Sequence, residues 1–130
     1  MNEKMTPPSP MEKRLALLAL VFVLLVLLTP GPVIEAIKNW LSLPVMPPSQ
    51  SAFPADKVVH CMMFAACGYL SARAWAGRFN LVLLLVGLLG FAALTEVLQT
   101  LVPGRSGDIA DFLADAVGIF IGVWWFKRRA

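Results

Sequence analysis

Ionisable and amide side chains stand in three short groups within a sequence that is otherwise strongly apolar. Asp56 and His60 form the first group, and Glu96 and Gln99 form the second. The third follows a Pro-Gly pair and contains Arg105, Asp108, Asp111 and Asp115. Spacings of three and four residues place side chains on one face of a helix. Each group can therefore direct its polar atoms toward one place, where they could move a proton, bind an anion or hold a cation.

His60 is the single histidine and the best candidate for proton transfer. A carboxylate beside an imidazole sets its tautomer and raises its basicity. His60, together with Asp56 or Glu96, is therefore predicted as a catalytic acid/base group. Arg105 carries a guanidinium that can bind a phosphate or a carboxylate. The predicted substrate-binding residues are Gln99, Arg105, Asp108 and Asp111.

Two other uses of the acidic residues remain open. They could hold a divalent cation, but the sequence lacks the closely spaced His and Cys ligands of typical metal sites. Neither a metal nor another cofactor is predicted. The polar residues could also form a structural network, in which Arg105 pairs with Glu96 or Asp111 and Asp108 caps a helix. Pinning helix ends, however, does not require a histidine and several acids in one place.

The elements that must position these residues are predicted to be membrane-spanning helices. Hydrophobic residues make up 58% of the 130-residue chain and charged residues only 15%, and the mean hydropathy is +0.75. Long uncharged runs of this kind are typical of bilayer spans. The sequence predicts an all-α integral membrane protein with four transmembrane helices, at residues 14–29, 57–75, 81–102 and 109–126.

Three further segments complete the single predicted domain at residues 1–130. Residues 1–13 are predicted to be a cytoplasmic tail. Residues 33–43 are predicted to form a short amphipathic helix on the membrane surface, because their apolar side chains recur at helical spacing and Trp40 can anchor at the interface. Residues 44–56, which are rich in proline, are predicted to form an outer loop.

The distribution of basic residues indicates the orientation of the four predicted spans. Cytoplasmic segments of membrane proteins are enriched in Lys and Arg. One face would carry Lys4, Lys13, Arg14, Arg73, Arg78, Lys127, Arg128 and Arg129, and the other only Lys38, Lys57 and Arg105. Both termini are therefore predicted in the cytoplasm, with the polar groups in the outer leaflet of the membrane. Because the basic residues form no single patch, nucleic-acid binding is excluded.

Glycines mark the helix faces that are expected to pack closely. Gly118 and Gly122 continue the stripe of Asp111 and Asp115, and their four-residue spacing permits close helix approach. This face is predicted to point into the bundle. Gly87, Gly90, Gly118 and Gly122 also suit contact with a second copy of the chain or with a partner membrane protein.

Three short motifs occur in a characteristic order along the chain. They are D-K-x-x-H at Asp56 to His60, E-x-x-Q at Glu96 to Gln99, and R-S-x-D-x-x-D at Arg105 to Asp111. In this order the chain resembles the VanZ-like membrane protein family over roughly Asp56 to Gly122. One departure is Asp115, which stands where the family pattern usually has an asparagine.

The resemblance implies a small helical membrane bundle and a place in the cell envelope, in the inner membrane of a bacterium. The founding member of the family is associated with resistance to the glycopeptide antibiotic teicoplanin. We therefore expect an outer-leaflet site that binds or modifies an anionic lipid-linked or cell-surface glycan precursor, with membrane lipids as the other partner. Enzymatic activity is left open. The alternatives are a non-enzymatic accessory or scaffold protein with a structural polar network and, less favoured, a proton-coupled carrier.

Overall fold

The computed structural model describes residues 7–43 and 55–130. These residues form five α-helices and no β-strand, in agreement with the all-α prediction. The helices are α1 (Pro10–Leu27), α2 (Gly31–Trp40), α3 (Ala55–Trp75), α4 (Leu81–Gln99) and α5 (Ile109–Arg129). Most of the predicted outer loop at residues 44–56 lies outside the described residues, and its last two residues begin α3.

The first helix begins earlier than the predicted span. Ser9 caps α1 by accepting a hydrogen bond from the backbone N–H of Glu12, and the Glu12 side chain accepts one from the Ser9 backbone N–H. This reciprocal pair satisfies two N–H groups that a helix end otherwise leaves unbonded. The first turn of α1 therefore lies within the stretch that the sequence analysis assigned to a tail.

A sharp bend separates α1 from α2. The two helices meet at 96°, at the segment Pro30 to Pro32, where proline rings remove backbone donors and disfavour continuation of a helix. None of the residues of α2 is buried in the described part of the chain. The predicted short helix therefore exists as a helix, over Gly31–Trp40, and its position at a membrane surface stays a prediction.

Apolar helices of spanning length are present, as expected for a membrane protein. Within the described residues, α4 and α5 are each long and apolar enough to cross a bilayer, and α1 with α2 would add a third span if the bent pair counts as one. The count of four spans is not established. Taken singly, α1 and α3 do not qualify; α3 carries His60, Ser71 and Arg73 among its apolar residues.

The closest helix packing is between α3 and α5. A Cβ atom on Gly118 would overlap the backbone carbonyl of Cys61, and one on Gly122 would overlap that of Ala65. Only glycine allows the two backbones to lie this close. The prediction that this glycine face points into the bundle is therefore confirmed. By contrast, Gly87 and Gly90 on α4 have no neighbour within 4 Å of a Cβ position, within the described residues.

The apolar core lies between α1, α3, α4 and α5. Its buried members are Val23, Leu27, Phe64, Cys67, Ala72, Leu88, Ala92, Ile119 and Val123. At one end of this core two connecting segments meet, because the Gly31 backbone N–H donates to the Pro103 carbonyl at 3.0 Å. Gly104 adopts a positive φ of 72° there, a conformation that glycine adopts without steric cost. This contact sets the α4–α5 loop against the bend between α1 and α2.

Candidate functional site

The central contact of the candidate site joins α3 to α5. His60 Nδ1 and Asp115 Oδ1 lie 2.9 Å apart, and both side chains are buried, with 5% and 0% of their surface exposed. Asp115 lies one turn before Gly118 on α5, so the glycine contact that draws the helices together also brings this carboxylate to the imidazole. The pair is a carboxylate–imidazole unit, in which the carboxylate orients the ring.

Glu96 on α4 completes a buried triad with His60 and Asp115. Its Oε1 atom lies 3.9 Å from His60 Nδ1, and its Oε2 atom accepts a hydrogen bond of 2.9 Å from the Asp108 backbone N–H. Gly107 permits this second contact, because a Cβ there would lie 2.6 Å from the Glu96 carbonyl oxygen. Three helices and the α4–α5 loop therefore hold the triad in place.

A second, more exposed cluster covers the start of α5. Lys57 Nζ lies 2.6 Å from Asp111 Oδ1 and 3.2 Å from Asp108 Oδ2. Asp108 also caps α5, since its Oδ1 accepts a hydrogen bond from the Ala110 backbone N–H at 2.9 Å. This N–H and the Lys57 ammonium together lower the pKa of Asp108 below its usual range. The predicted capping role of Asp108 is thus confirmed, and Lys57 supplies the cation of this cluster.

Gln99 connects α4 to the end of α1. Its Nε2 atom donates a hydrogen bond of 3.1 Å to the Leu27 carbonyl, one of the carbonyls that a helix C-terminus leaves without an intrahelical partner. The residue is buried, at 1% exposure. The predicted substrate-binding role of Gln99 stays a prediction, and the contact that the structure shows is a link between two helices.

Asp56 and Arg105 lie apart from the contacts above. Asp56 is exposed and Arg105 is half-buried, and within the described residues neither side chain takes part in a hydrogen bond or ion pair with the cluster. The carboxylates nearest His60 are Asp115 and Glu96, not Asp56, because the imidazole points across to α5. The pairing of Arg105 with Glu96 or Asp111, which the alternative structural network would require, is not found among the described residues: Lys57 binds Asp111, and the Asp108 backbone N–H donates to Glu96.

An open cleft between α4 and α5 reaches the triad. Its volume is about 280 Å³. The lining residues are Ala93, Glu96, Val97, Thr100, Gly107, Asp108, Ile109 and Phe112. Most of this lining is apolar, and Glu96 and Asp108 are its acidic residues. The cleft therefore offers an apolar surface directly beside a buried carboxylate.

A family model supports what the motif order indicated. The model described as VanZ/LLP1 matches residues 8–129, nearly the whole chain. The chain belongs to the VanZ-like family. Comparisons with curated proteins and with solved structures gave no match. The match extends the resemblance from the motif region to α1 and α2, so the bent helix pair lies inside the family domain.

Sequence reasoning about this VanZ-like chain missed two contacts: the pairing of Lys57 with Asp108 and Asp111, and the pairing of Asp115 with His60. The signal for Lys57 was its place three residues before His60, on the same face of α3. Asp115 stood in the stripe that runs through Asp108 and Asp111 to the buried glycines. Its burial against α3 follows from that stripe, but the identity of its partner does not.

The triad atoms lie within 4.8 Å of one another, so they could hold a metal ion.

Proposed function

We propose that this VanZ-like protein acts in the bacterial cell envelope, where it binds or modifies an anionic lipid-linked or cell-surface glycan precursor. The observation that carries the proposal is the convergence of His60, Glu96 and Asp115, from three helices, in a buried cluster. An ionised side chain in a membrane span costs about 2.5–3.5 kcal/mol on insertion scales. A functional role therefore explains a cluster of three ionisable groups better than chance does.

The proposed topology has four spans in the inner membrane, both termini in the cytoplasm and the site in the outer leaflet. Large apolar side chains exposed along α1, α4 and α5 suit contact with lipid tails. At the end of α5 the Arg128 and Arg129 guanidinium groups lie 4.4 and 4.8 Å from the ring centroids of Trp124 and Trp125. Aromatic and basic residues of this kind favour a membrane interface on the cytoplasmic side. We place α2 flat on the opposite surface.

The parts of the site suit a ligand with an anionic head and an apolar tail. The cleft between α4 and α5 would hold the apolar part beside Glu96. Arg105, which is half-buried in the loop before α5, would bind a phosphate or carboxylate through its guanidinium. His60, oriented by Asp115, would move a proton at the head of the ligand.

A non-enzymatic accessory or scaffold protein is the second candidate. It is favoured by the contact of Gln99 with the Leu27 carbonyl and by the Lys57 pairs, which join helices without needing a ligand. In that case an isosteric change such as Asp111→Asn would preserve function wherever it preserved folding. Under the first proposal, the charge itself is required.

The experiment pairs the amount of folded protein in the membrane with susceptibility to a teicoplanin-type glycopeptide in a susceptible host. The variants are His60→Ala, Glu96→Gln, Arg105→Ala, Asp111→Asn and Asp115→Asn, with Glu35→Gln as the matched control, because Glu35 is an exposed acid on α2. We expect the wild type and Glu35→Gln to lower susceptibility and the site variants to lose that effect at normal protein levels. Site variants that accumulate normally and keep the full effect would contradict the proposal.

The proposed side of the membrane has its own test. A cysteine introduced at Ser106, in a chain whose Cys61 and Cys67 are replaced by serine, should react with a membrane-impermeant maleimide in intact cells. Ser106 is exposed in the α4–α5 loop, so its reactivity depends on the side of the membrane that it faces. Labelling only after the cells are opened would place the site in the cytoplasm and remove the basis for an outer-leaflet ligand.

A further inference from the structure

We infer that His60, Glu96 and Asp115 form a binding site for a divalent transition-metal ion of the zinc class. Each residue contributes one possible ligand atom, and these atoms lie within 4.8 Å of one another. The closest pair, His60 Nδ1 and Asp115 Oδ1, is 2.9 Å apart. One ion with ligand distances of about 2.0–2.2 Å could bridge this set after small side-chain adjustments.

Two buried oxygen atoms point to an ion independently of the clustering. Asp115 Oδ2 and Glu96 Oε1 have no hydrogen-bond partner among the described residues. The Asp115 side chain is 0% exposed and that of Glu96 is 10% exposed, so bulk water does not solvate these atoms. A buried polar atom without a partner is costly. A cation between the two carboxylates would satisfy both oxygens at once.

The donor set selects the kind of ion. One imidazole nitrogen and two carboxylate oxygens match the ligands that zinc and similar ions use. Calcium takes six to eight oxygen ligands and magnesium needs a near-octahedral oxygen shell, which this site does not offer. Three protein ligands would also leave a fourth position open for a water molecule or a ligand oxygen. Occupation of this fourth position by a ligand oxygen rests on the proposed function. Binding of the ion itself does not.

Nearby charges leave the triad available to a cation. Lys57, the closest lysine along α3, is bound to Asp108 and Asp111 and not to Asp115. Glu96 receives one backbone N–H on Oε2, which holds the carboxylate while Oε1 faces His60. A proton on His60 is the alternative to a metal ion as the positive charge beside the two carboxylates. Metal binding and protonation compete for the same Nδ1 atom, so the experiment must separate them.

The test uses the full chain, purified in detergent with an affinity tag that contains no histidine and treated with a chelator. Zn²⁺ or Co²⁺ is then added and the excess removed, and the metal content per chain is measured together with the visible absorption of Co²⁺. We expect about one ion per chain, with a Co²⁺ spectrum of low coordination number. We expect His60→Ala, Glu96→Gln and Asp115→Asn to lose at least the roughly 10- to 100-fold in affinity that changes near a metal cost.

Glu35→Gln, far along the chain from the triad, is the control and should bind the ion as the wild type does. A monodisperse, folded wild-type protein that retains no Zn²⁺ or Co²⁺ would overturn the inference, whatever the variants do. So would full binding by His60→Ala. If the ion is absent but the site variants still lose the glycopeptide effect, the metal inference fails and the proposed function stands. If the ion binds but the site variants keep that effect, the inference stands and the proposed function fails.

Discussion

Two acid–base pairs join helices in different regions of the bundle, and their surroundings differ. Near the start of α1, Glu12 Oε1 lies 2.5 Å from Arg73 Nη2, with side-chain exposures of 25% and 45%. In the triad, His60 and Asp115 lie 2.9 Å apart with exposures of 5% and 0%. The first pair is shorter, yet water screens both of its charges. The second pair has almost no access to water.

The comparison shows that burial, rather than distance, decides what a pair contributes. Exposed ion pairs usually stabilise a protein by little, because solvent already satisfies both charges. Breaking a buried pair leaves one group without a partner and is strongly destabilising. We therefore expect the region around His60 to control folding and function, and the region around Glu12 to tolerate change. Four substitutions, in order of decreasing effect, test this contrast.

Asp115→Ala should have the largest effect. It leaves the buried His60 imidazole without its carboxylate and opens space beneath it, so we expect a loss of about 3–5 kcal/mol in the free energy of unfolding. Thermal unfolding of the protein in detergent, followed by circular dichroism, measures this. Asp56→Ala is the control, since Asp56 is an exposed acid on α3, four residues before His60. Equal stability of the two variants would show that the buried pair of His60 and Asp115 contributes no more to the free energy of unfolding than an exposed acid does.

Gly122→Ala should have the next largest effect. The added Cβ would overlap the Ala65 carbonyl, so α3 and α5 must move apart, at a cost typical of overpacking, about 1–3 kcal/mol. At Gly87 an added Cβ would have no neighbouring atom within 4 Å among the described residues. Gly87→Ala should therefore raise stability slightly, because alanine favours helix. Folded yield and unfolding temperature of the two variants give the comparison. A similar change in stability in both variants would mean that the close contact at Gly122 does not decide the outcome.

Lys57→Met should have a moderate effect. The change removes the cation from Asp108 and Asp111 while keeping an unbranched side chain of similar length. Lys57 is 27% exposed on its side chain, so water compensates part of the loss. We expect a smaller drop in unfolding temperature than for Asp115→Ala, and a smaller one still at low pH, where Asp108 becomes protonated. Because Lys57 holds the pKa of Asp108 down, that acid should protonate at a higher pH in the variant.

Glu12→Gln should have the smallest effect. The exposed pair with Arg73 loses its charge interaction, while the glutamine can still accept the capping hydrogen bond from Ser9. We expect no measurable change in unfolding temperature or in glycopeptide susceptibility. A loss as large as that of Asp115→Ala would reverse the contrast between the two regions.

Local signals in the sequence predicted most of the helices and grouped the polar residues by helix face. Pro30 and Pro103 lie in the breaks that the proline rule predicts, and Asp108 caps α5 as its residue type suggests. Hydropathy alone did not give the number of spans, because polar residues of α3 that face the interior, such as His60 and Ser71, lower its mean hydropathy. Composition cannot distinguish a polar residue that faces protein from one that faces lipid.

By itself the sequence determined which residues share a helix face, since that depends only on the 3.6-residue period. It placed Asp108, Asp111 and Asp115 in one stripe and led that stripe into Gly118 and Gly122. Only the tertiary structure decided which carboxylate meets His60 and which cation meets Asp111. Those pairings depend on the rotation and axial register of two helices, and a shift of one turn, about 5.4 Å, would exchange the partners. The contact of the glycines with the α3 backbone sets that register.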